Sequence, residues 1–305
     1  MSWRLHLTNQ AIQHLDILNG TPSVLAAWSR KDRVAFYDVE FGAALGERTF
    51  TSPTVDNRQD DSWQEFVGDL VAPNKAYLPI VQTDNVSIYT TDDGRMRLYY
   101  DTNSGLFLEN DGKEVALEVK AESFQTLALD RFLGLSALLD ASGQLHMYQQ
   151  HIRVGAFNLD LKTDGDTRYA LAISRGGGAI FATDGGSIVI TNTSGQVRKR
   201  METHYFIGEM TCSPDGKYVI TSDIDTGVLR VYRGTDLMPL YQRFAIDLLA
   251  SATQVQLIAD LPPWQVALSA LTISNEGVIA FAMSGVVCVS SIKSMDNLPR
   301  PRRLL

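Results

Sequence analysis

Gly208-Glu-Met-Thr-Cys-Ser-Pro-Asp-Gly-Lys-Tyr-Val-Ile-Thr-Ser222 runs directly into Asp223-Ile-Asp-Thr-Gly227 and then Val228-Leu-Arg-Val-Tyr232. This stretch reads as strand, Pro-Asp-Gly turn, strand, Asp/Gly turn, strand. Pro214 presets φ for the first turn, and Gly216 tolerates the positive φ that commonly closes it. The segments between the turns alternate apolar and polar residues, or run apolar for a few positions. Half-buried or sandwiched strands have that pattern.

The pattern recurs on both sides of this unit. Ala170-Leu-Ala-Ile-Ser174, a glycine turn at 176–178, Ala179-Ile-Phe-Ala-Thr183, Asp184-Gly185-Gly186 and Ser187-Ile-Val-Ile-Thr191 form one copy. Leu127-Ala-Leu129, Phe132 to Leu139, Asp140-Ala-Ser-Gly143 and Gln144-Leu-His-Met-Tyr148 form another. Leu268 to Ser274, Asn275-Glu-Gly277, Val278-Ile-Ala-Phe-Ala282 and Val286 to Ile292 give the last. Toward the N-terminus stand Ile88 to Gly94 with Arg95 to Asp101, and Val24 to Trp28 with Arg30-Lys31-Asp32 and Val34 to Asp38. The third strands begin at Arg33, Arg95, Gln144, Ser187, Val228 and Val286. Most of these intervals are about 40–50 residues, the length of one four-stranded propeller blade.

The sequence therefore predicts an all-β fold, a single β-propeller over 1–305 with about six four-stranded blades. The blades fall roughly at 9–56, 75–120, 122–162, 166–203, 204–247 and 264–295, with 1–8 as a strand closing the last one. Two intervals are longer, by about 20 residues at most, too few for another blade. In the first, within 57–74, Ser62-Trp-Gln-Glu65 matches a capping box, and Trp63, Phe66, Val67, Leu70 and Val71 follow at helical spacing. This predicts a short helical insertion between the first two blades, with an elongated outer strand as the alternative. The second insertion, 248–263, reads either as a helix around 244–252 or as an extended hairpin. A seventh blade with divergent strands is the rival architecture.

Val34-Ala-Phe-Tyr-Asp38 followed by Phe41-Gly42, and Ser213-Pro-Asp-Gly216 followed by Val228-Leu-Arg-Val-Tyr232, resemble WD-repeat units. The Gly-His pair of that family is missing, and its Trp-Asp ending becomes Tyr37-Asp38, Tyr100-Asp101 or Tyr232-Arg233. The Pro-Asp-Gly-Lys-Tyr-Val run is also similar to bacterial lactonase-like propeller repeats. The WD-repeat resemblance implies a non-enzymatic scaffold for protein–protein interaction. It also implies that loops joining second to third strands, with the loops leading into blades, line one binding face. Carried onto this chain, that face holds Arg30, Lys31, Asp92, Asp93, Asp184 and Asp223, flanked by Trp63, Tyr205, Phe206 and Trp264. The lactonase-like resemblance implies the alternative, a hydrolase with a polar site at the central channel.

Composition narrows the classes. There are 27 Lys and Arg against 35 Asp and Glu, giving a formal net charge of −8, which argues against nucleic acid as a partner. Only Cys212 and Cys288 are present, both in predicted strands, where small buried hydrophobes are expected ahead of a disulfide. No signal-peptide pattern and no membrane-spanning apolar run is visible, so the chain reads as a cytoplasmic, monomeric propeller. His6, His14, His146, His151 and His204 show no metal-ligand spacing, and Cys-x-x-Cys is absent. Gly134-Leu-Ser-Ala-Leu138 lacks the second glycine of a nucleophile elbow, and no Lys-Ser/Thr follows the glycines at 176–178. Asp223-Ile-Asp225 supplies only part of a calcium loop. No catalytic residue, metal or cofactor is expected from these motifs.

Overall fold

Trp3–His6 (β1) does not pair with the strand next to it in the chain. The structure, a computed structural model, describes residues 2–6, 12–18, 23–29, 33–49, 77–82, 86–91, 96–101, 105–110, 113–117, 124–130, 134–150, 152–163, 167–175, 178–254, 268–283 and 285–297. Within these residues the chain forms six sheets in sequence order.

The first blade is β2 (Ile12–Leu18), β3 (Val24–Ser29), β4 (Arg33–Asp38) and β5 (Ala44–Thr49). The second is β6 (Tyr77–Gln82), β7 (Val86–Thr91), β8 (Met96–Asp101) and β9 (Gly105–Asn110), extended by β10 (Lys113–Ala116). The third is β11 (Phe124–Asp130), β12 (Leu135–Asp140), β13 (Gln144–Gln149) and β14 (Ile152–Asn158). The fourth is β15 (Ala170–Ile173), β16 (Ile180–Thr183), β17 (Ser187–Thr191) and β18 (Val197–Glu202). The fifth is β19 (Ile207–Cys212), β20 (Tyr218–Asp223), β21 (Val228–Arg233) and β22 (Pro239–Phe244). Then come α1 (Ala245–Ser251), β23 (Thr253–Gln254), β24 (Ala270–Ile273), β25 (Val278–Met283) and β26 (Val286–Ser291). A 3-10 turn at Ile292–Ser294 leads to β27 (Asp296–Asn297).

Consecutive strands within each blade pair antiparallel, as short hairpins require. The first strands of neighbouring blades meet one another: β2 with β24, β11 with β15, β15 with β19, and β19 with β24. Those strands form the inner ring, and the fourth strands lie outside. Among the described residues this is a β-propeller of six blades.

Its core is divided among the blade interfaces. Ile220, Leu229 and Val231 of the fifth blade pack with Leu271, Phe281 and Cys288 of the sixth. Leu135, Ala137 and Met147 of the third pack with Ile173, Ile180 and Val189 of the fourth. Blades covered on both faces bury their middle strands, and two of these strands show it along their whole length. Leu135–Asp140 and Ser187–Thr191 have no exposed position. Cys212 and Cys288 are free thiols in this interior, each pushed up to about 12 by burial.

The ring closes through β1. It pairs antiparallel with β26, from Trp3 opposite Val289 to His6 opposite Val286, and so becomes the fourth strand of the last blade. On its other side it pairs in parallel with β23, so neither edge of β1 is open along Trp3 and Arg4. The chain beyond β26 crosses back to the fifth blade, where Asp296 and Asn297 pair with Gln242 and Tyr241 of β22.

Of the two insertions, 62–72 lies outside the described residues. In the second, the helical alternative is the observed one, as α1. It starts at Ala245, three residues before the expected insertion boundary, because Ala245, Leu248, Leu249 and Ala252 make an apolar stripe that packs between the last two blades. No described helix is long and apolar enough to cross a membrane.

Candidate functional site

The turn between the second and third strands is built the same way in blades three, four and five. An aspartate at the end of the second strand folds its carboxylate back onto the turn's N–H groups. Asp140 Oδ1 accepts from Ser142 N at 2.9 Å, Ser142 Oγ at 2.6 Å and Gln144 N at 3.1 Å. Its other oxygen lies 2.7 Å from His146 Nε2. Asp184 Oδ1 accepts from Gly186 N at 2.9 Å and Ser187 N at 2.7 Å, while Oδ2 accepts from Lys162 N at 3.0 Å. Asp223 Oδ1 accepts from Asp225 N at 3.0 Å and Thr226 N at 3.3 Å. Burial raises each of these carboxyls, but the hydrogen bonds together outweigh it and hold all three below the usual carboxylate range.

In the fifth blade this turn is also fastened sideways. Arg230 Nη1 lies 3.4 Å from Asp223 Oδ2, and its guanidinium sits 3.8 Å from the centre of the Tyr205 ring. The Tyr205 hydroxyl is 2.8 Å from Thr221 Oγ1 and 2.6 Å from the Tyr232 hydroxyl. Burial pushes both phenols up. Tyr205 precedes the blade, Thr221 is on β20 and Tyr232 on β21, so the network ties the loop leading into the blade to its second and third strands.

This rigid turn carries apolar side chains on either flank. Ile224 N donates to Phe206 O at 2.9 Å on the inner side, and Ala245 N donates to Gly227 O at 3.0 Å on the outer side. Phe206 is 66% exposed, Phe244 48% and Ile246 40%. Three large exposed apolar side chains thus come from segments bonded to one pinned turn. The other exposed large apolar side chains among the described residues are Phe41 and Leu45 of the first blade, Ile152 and Val154 on the outer strand β14, and Val197 on the outer strand β18.

At the inner end of this surface stands Glu209. The register of β19 slips between Ile207 and Met210, leaving a bulge opposite Ser222, whose Oγ accepts from Glu209 N at 3.0 Å. Such a bulge re-aims the side chains it carries. Burial on this innermost strand pushes the Glu209 carboxyl up to about 7, with the nearby Arg168 opposing the rise.

Of the residues expected on the binding face, the structure brings Asp184, Asp223, Tyr205 and Phe206 to loops on the same side of blades four and five. Asp184 and Asp223 are buried and hold turns, and the Tyr205 hydroxyl is engaged inside the blade. Phe206 alone of the four offers its side chain to solvent. Arg30, Lys31, Trp63, Asp92, Asp93 and Trp264 lie outside the described residues. Phe244, Ile246 and Glu209 were not anticipated. Ile246 had a signal in the sequence, because it falls off the stripe formed by Ala245, Leu248 and Leu249. Among the described residues, no group of three or more His, Cys, Asp or Glu side chains could hold a metal ion.

The fold defines the chain as a β-propeller, and a solved propeller structure agrees. It is similar to the β-propeller domain of Myceliophteria thermophila Cps50 (Swd1), with a TM-score of 0.60 and 10% identity over 93% of this chain and 98% of that one. A second similar structure is BamB from Moraxella catarrhalis, with a TM-score of 0.48 and 12% identity over 92% and 83% of the two chains. No protein-family description matches the sequence, and no curated protein matches it.

Proposed function

We propose that this propeller is a non-enzymatic scaffold that binds a protein partner on the blade-five face described above. The observation that carries the reading is the exposure of Phe206, Phe244 and Ile246 around a turn held rigid by Asp223, Arg230 and Tyr205. Exposed aromatic side chains on a fixed backbone lose little freedom on binding, and such residues dominate interface energies. Partner binding without large rearrangement suits this site, since the turn is already pinned from both sides. The same reading takes the protein to work as a monomeric ring in a reducing cytoplasm, to which two buried free thiols are suited.

The test is capture of partners from the source cells by the wild type and by a Phe206→Ala/Phe244→Ala variant. Because both side chains are exposed, the variant keeps its circular dichroism spectrum and melting profile. Specific capture falls by more than about tenfold if the two rings are central anchors. Unchanged capture by a folded variant refutes this face. The lactonase-like alternative rests on Glu209, a carboxyl that titrates near neutral pH beside the channel. It requires turnover of lactone or ester substrates that Glu209→Gln abolishes.

A further inference from the structure

We infer that the segment docking on the blade-five face is basic as well as apolar: a short stretch of a second protein with large apolar side chains beside lysine or arginine. The inference rests on the docking reading above and adds the charge of the partner. It follows from the distribution of charge around Phe206, Phe244 and Ile246.

Two exposed carboxylates border the apolar side chains. Asp225 stands in the pinned turn itself, between the backbone links to Phe206 and to Ala245. Asp247 follows Ile246 directly in α1. The nearby cations are turned to internal uses. Arg230 is half-buried, bridged to Asp223 and stacked on Tyr205. Arg243 is half-buried and donates to Ser294 O at 2.8 Å. Arg4, also half-buried, donates to Leu249 O at the end of α1, while the exposed Arg168 stands at the inner end beside Glu209. The surface therefore runs from a mixed Glu209–Arg168 pair at the channel, across Phe206, to an acidic outer end at Asp225 and Asp247.

A partner that buries the three apolar side chains must bring its own charges close to Asp225 and Asp247. Like charges there are repelled and opposite charges are steered in, which fixes both the class of partner and its direction on the face. The same sign disfavours nucleic acid and anionic lipid, whose phosphates would face these carboxylates. The formal net charge of −8 reinforces the local pattern at longer range.

The experiment is a peptide-display selection on immobilised wild-type protein, with counter-selection on the folded F206A/F244A variant. Peptides that survive are those that depend on the two rings. The expected survivors pair aromatic or branched aliphatic residues with lysine or arginine. They should bind about fivefold or more weakly to an Asp225→Lys/Asp247→Lys variant, and should weaken as salt rises. Ring-dependent peptides that are neutral or acidic overturn the inference and leave the docking reading standing, as does indifference to the charge reversal. If no peptide distinguishes wild type from F206A/F244A, the docking reading falls and this inference with it.

Discussion

The indole N–H of Trp3 donates to the carbonyl of Val39 at 2.8 Å, joining the last blade to the first across the seam of the ring. The Trp3 ring lies 6.4 Å from that of Tyr37 in a tilted arrangement, and Trp3 and Tyr37 share one buried cluster with Leu5, Leu25 and Val287. The next residue makes a second link, since Arg4 Nη1 donates to Leu249 O at the end of α1. Side chains from two consecutive residues of β1 thus tie the last blade on both sides, Trp3 across the seam to the first blade and Arg4 to the helix that follows the fifth.

Replacing Trp3 by phenylalanine keeps an aromatic ring in the seam but removes the donor. The Val39 carbonyl then loses its buried partner, at a cost of about 1–2 kcal/mol in urea denaturation. Deleting residues 1–6 removes the whole fourth strand of the last blade, together with the buried Trp3 and Leu5. That loss should be several times larger and should broaden the transition. A deletion no more harmful than Trp3→Phe would show that the seam does not depend on β1.

The Tyr205 hydroxyl bridges Thr221 and Tyr232, both of which are buried. Tyr205→Phe leaves those two hydroxyls without their shared partner and should cost about 1–3 kcal/mol. Arg230 would still have the ring beneath it, so Tyr205→Leu should cost more than Tyr205→Phe through loss of the cation–π contact. Equal effects of the two substitutions would place the whole contribution in the hydroxyl.

These two networks also mark where reading the sequence stops. The Ser213-Pro-Asp-Gly turn is legible because the bonds that close it are local, although Asn275 and Arg175 bond it from other blades. Ser213 Oγ bonds Asp215 Oδ1 at 2.6 Å, Gly216 N donates to Ser213 O at 2.8 Å, and Gly216 has φ of +70°. The blade rhythm was legible for the same reason, since turn chemistry and strand alternation repeat within each unit. The role of Tyr205 was not, because Thr221 and Tyr232 are 16 and 27 residues away and meet it only through strand register. Glu209 was hidden by its bulge, which breaks the alternation that would have assigned it a face. Phe244 stands at the start of the 244–252 stretch, which reads equally as helix or hairpin, and neither alternative gives its exposure without the placement of α1 beside the Asp223 turn.

Asp184 makes a pH-dependent contribution whose sign follows from its depressed pKa. The carboxylate accepts from three backbone N–H groups, so the folded state favours the ionised form over the unfolded chain. Its stabilisation is present above the unfolded value of about 3.9 and is lost as pH falls through the lower folded value. In Asp184→Asn, however the amide turns, its NH2 group confronts at least one backbone donor. The variant should be about 1–3 kcal/mol less stable than wild type at neutral pH. The difference should shrink in acid, where the protonated wild-type carboxyl presents the same conflict. A gap that stays constant down to about pH 3 would assign the loss to packing instead.

Glu209 has the opposite sign. Its carboxyl is raised to about 7 by burial on the inner strand, so the folded protein holds this proton after the unfolded chain has released it. Between the unfolded value of about 4.3 and the folded value, the folded state binds more protons, and stability therefore falls as pH rises. Above the folded value the carboxylate is ionised in both states, and the full burial cost is present. Glu209→Gln removes the titration while keeping a side chain of the same size on the bulge. The variant should match wild type at about pH 4 and become progressively more stable than it as pH rises to about 8. Denaturation midpoints measured across that interval, with the Glu209 carboxyl followed by carbon NMR, test this directly. Parallel pH profiles for wild type and variant would mean that the carboxyl is solvated enough to titrate normally. The lactonase-like reading would then lose the single group on which it rests.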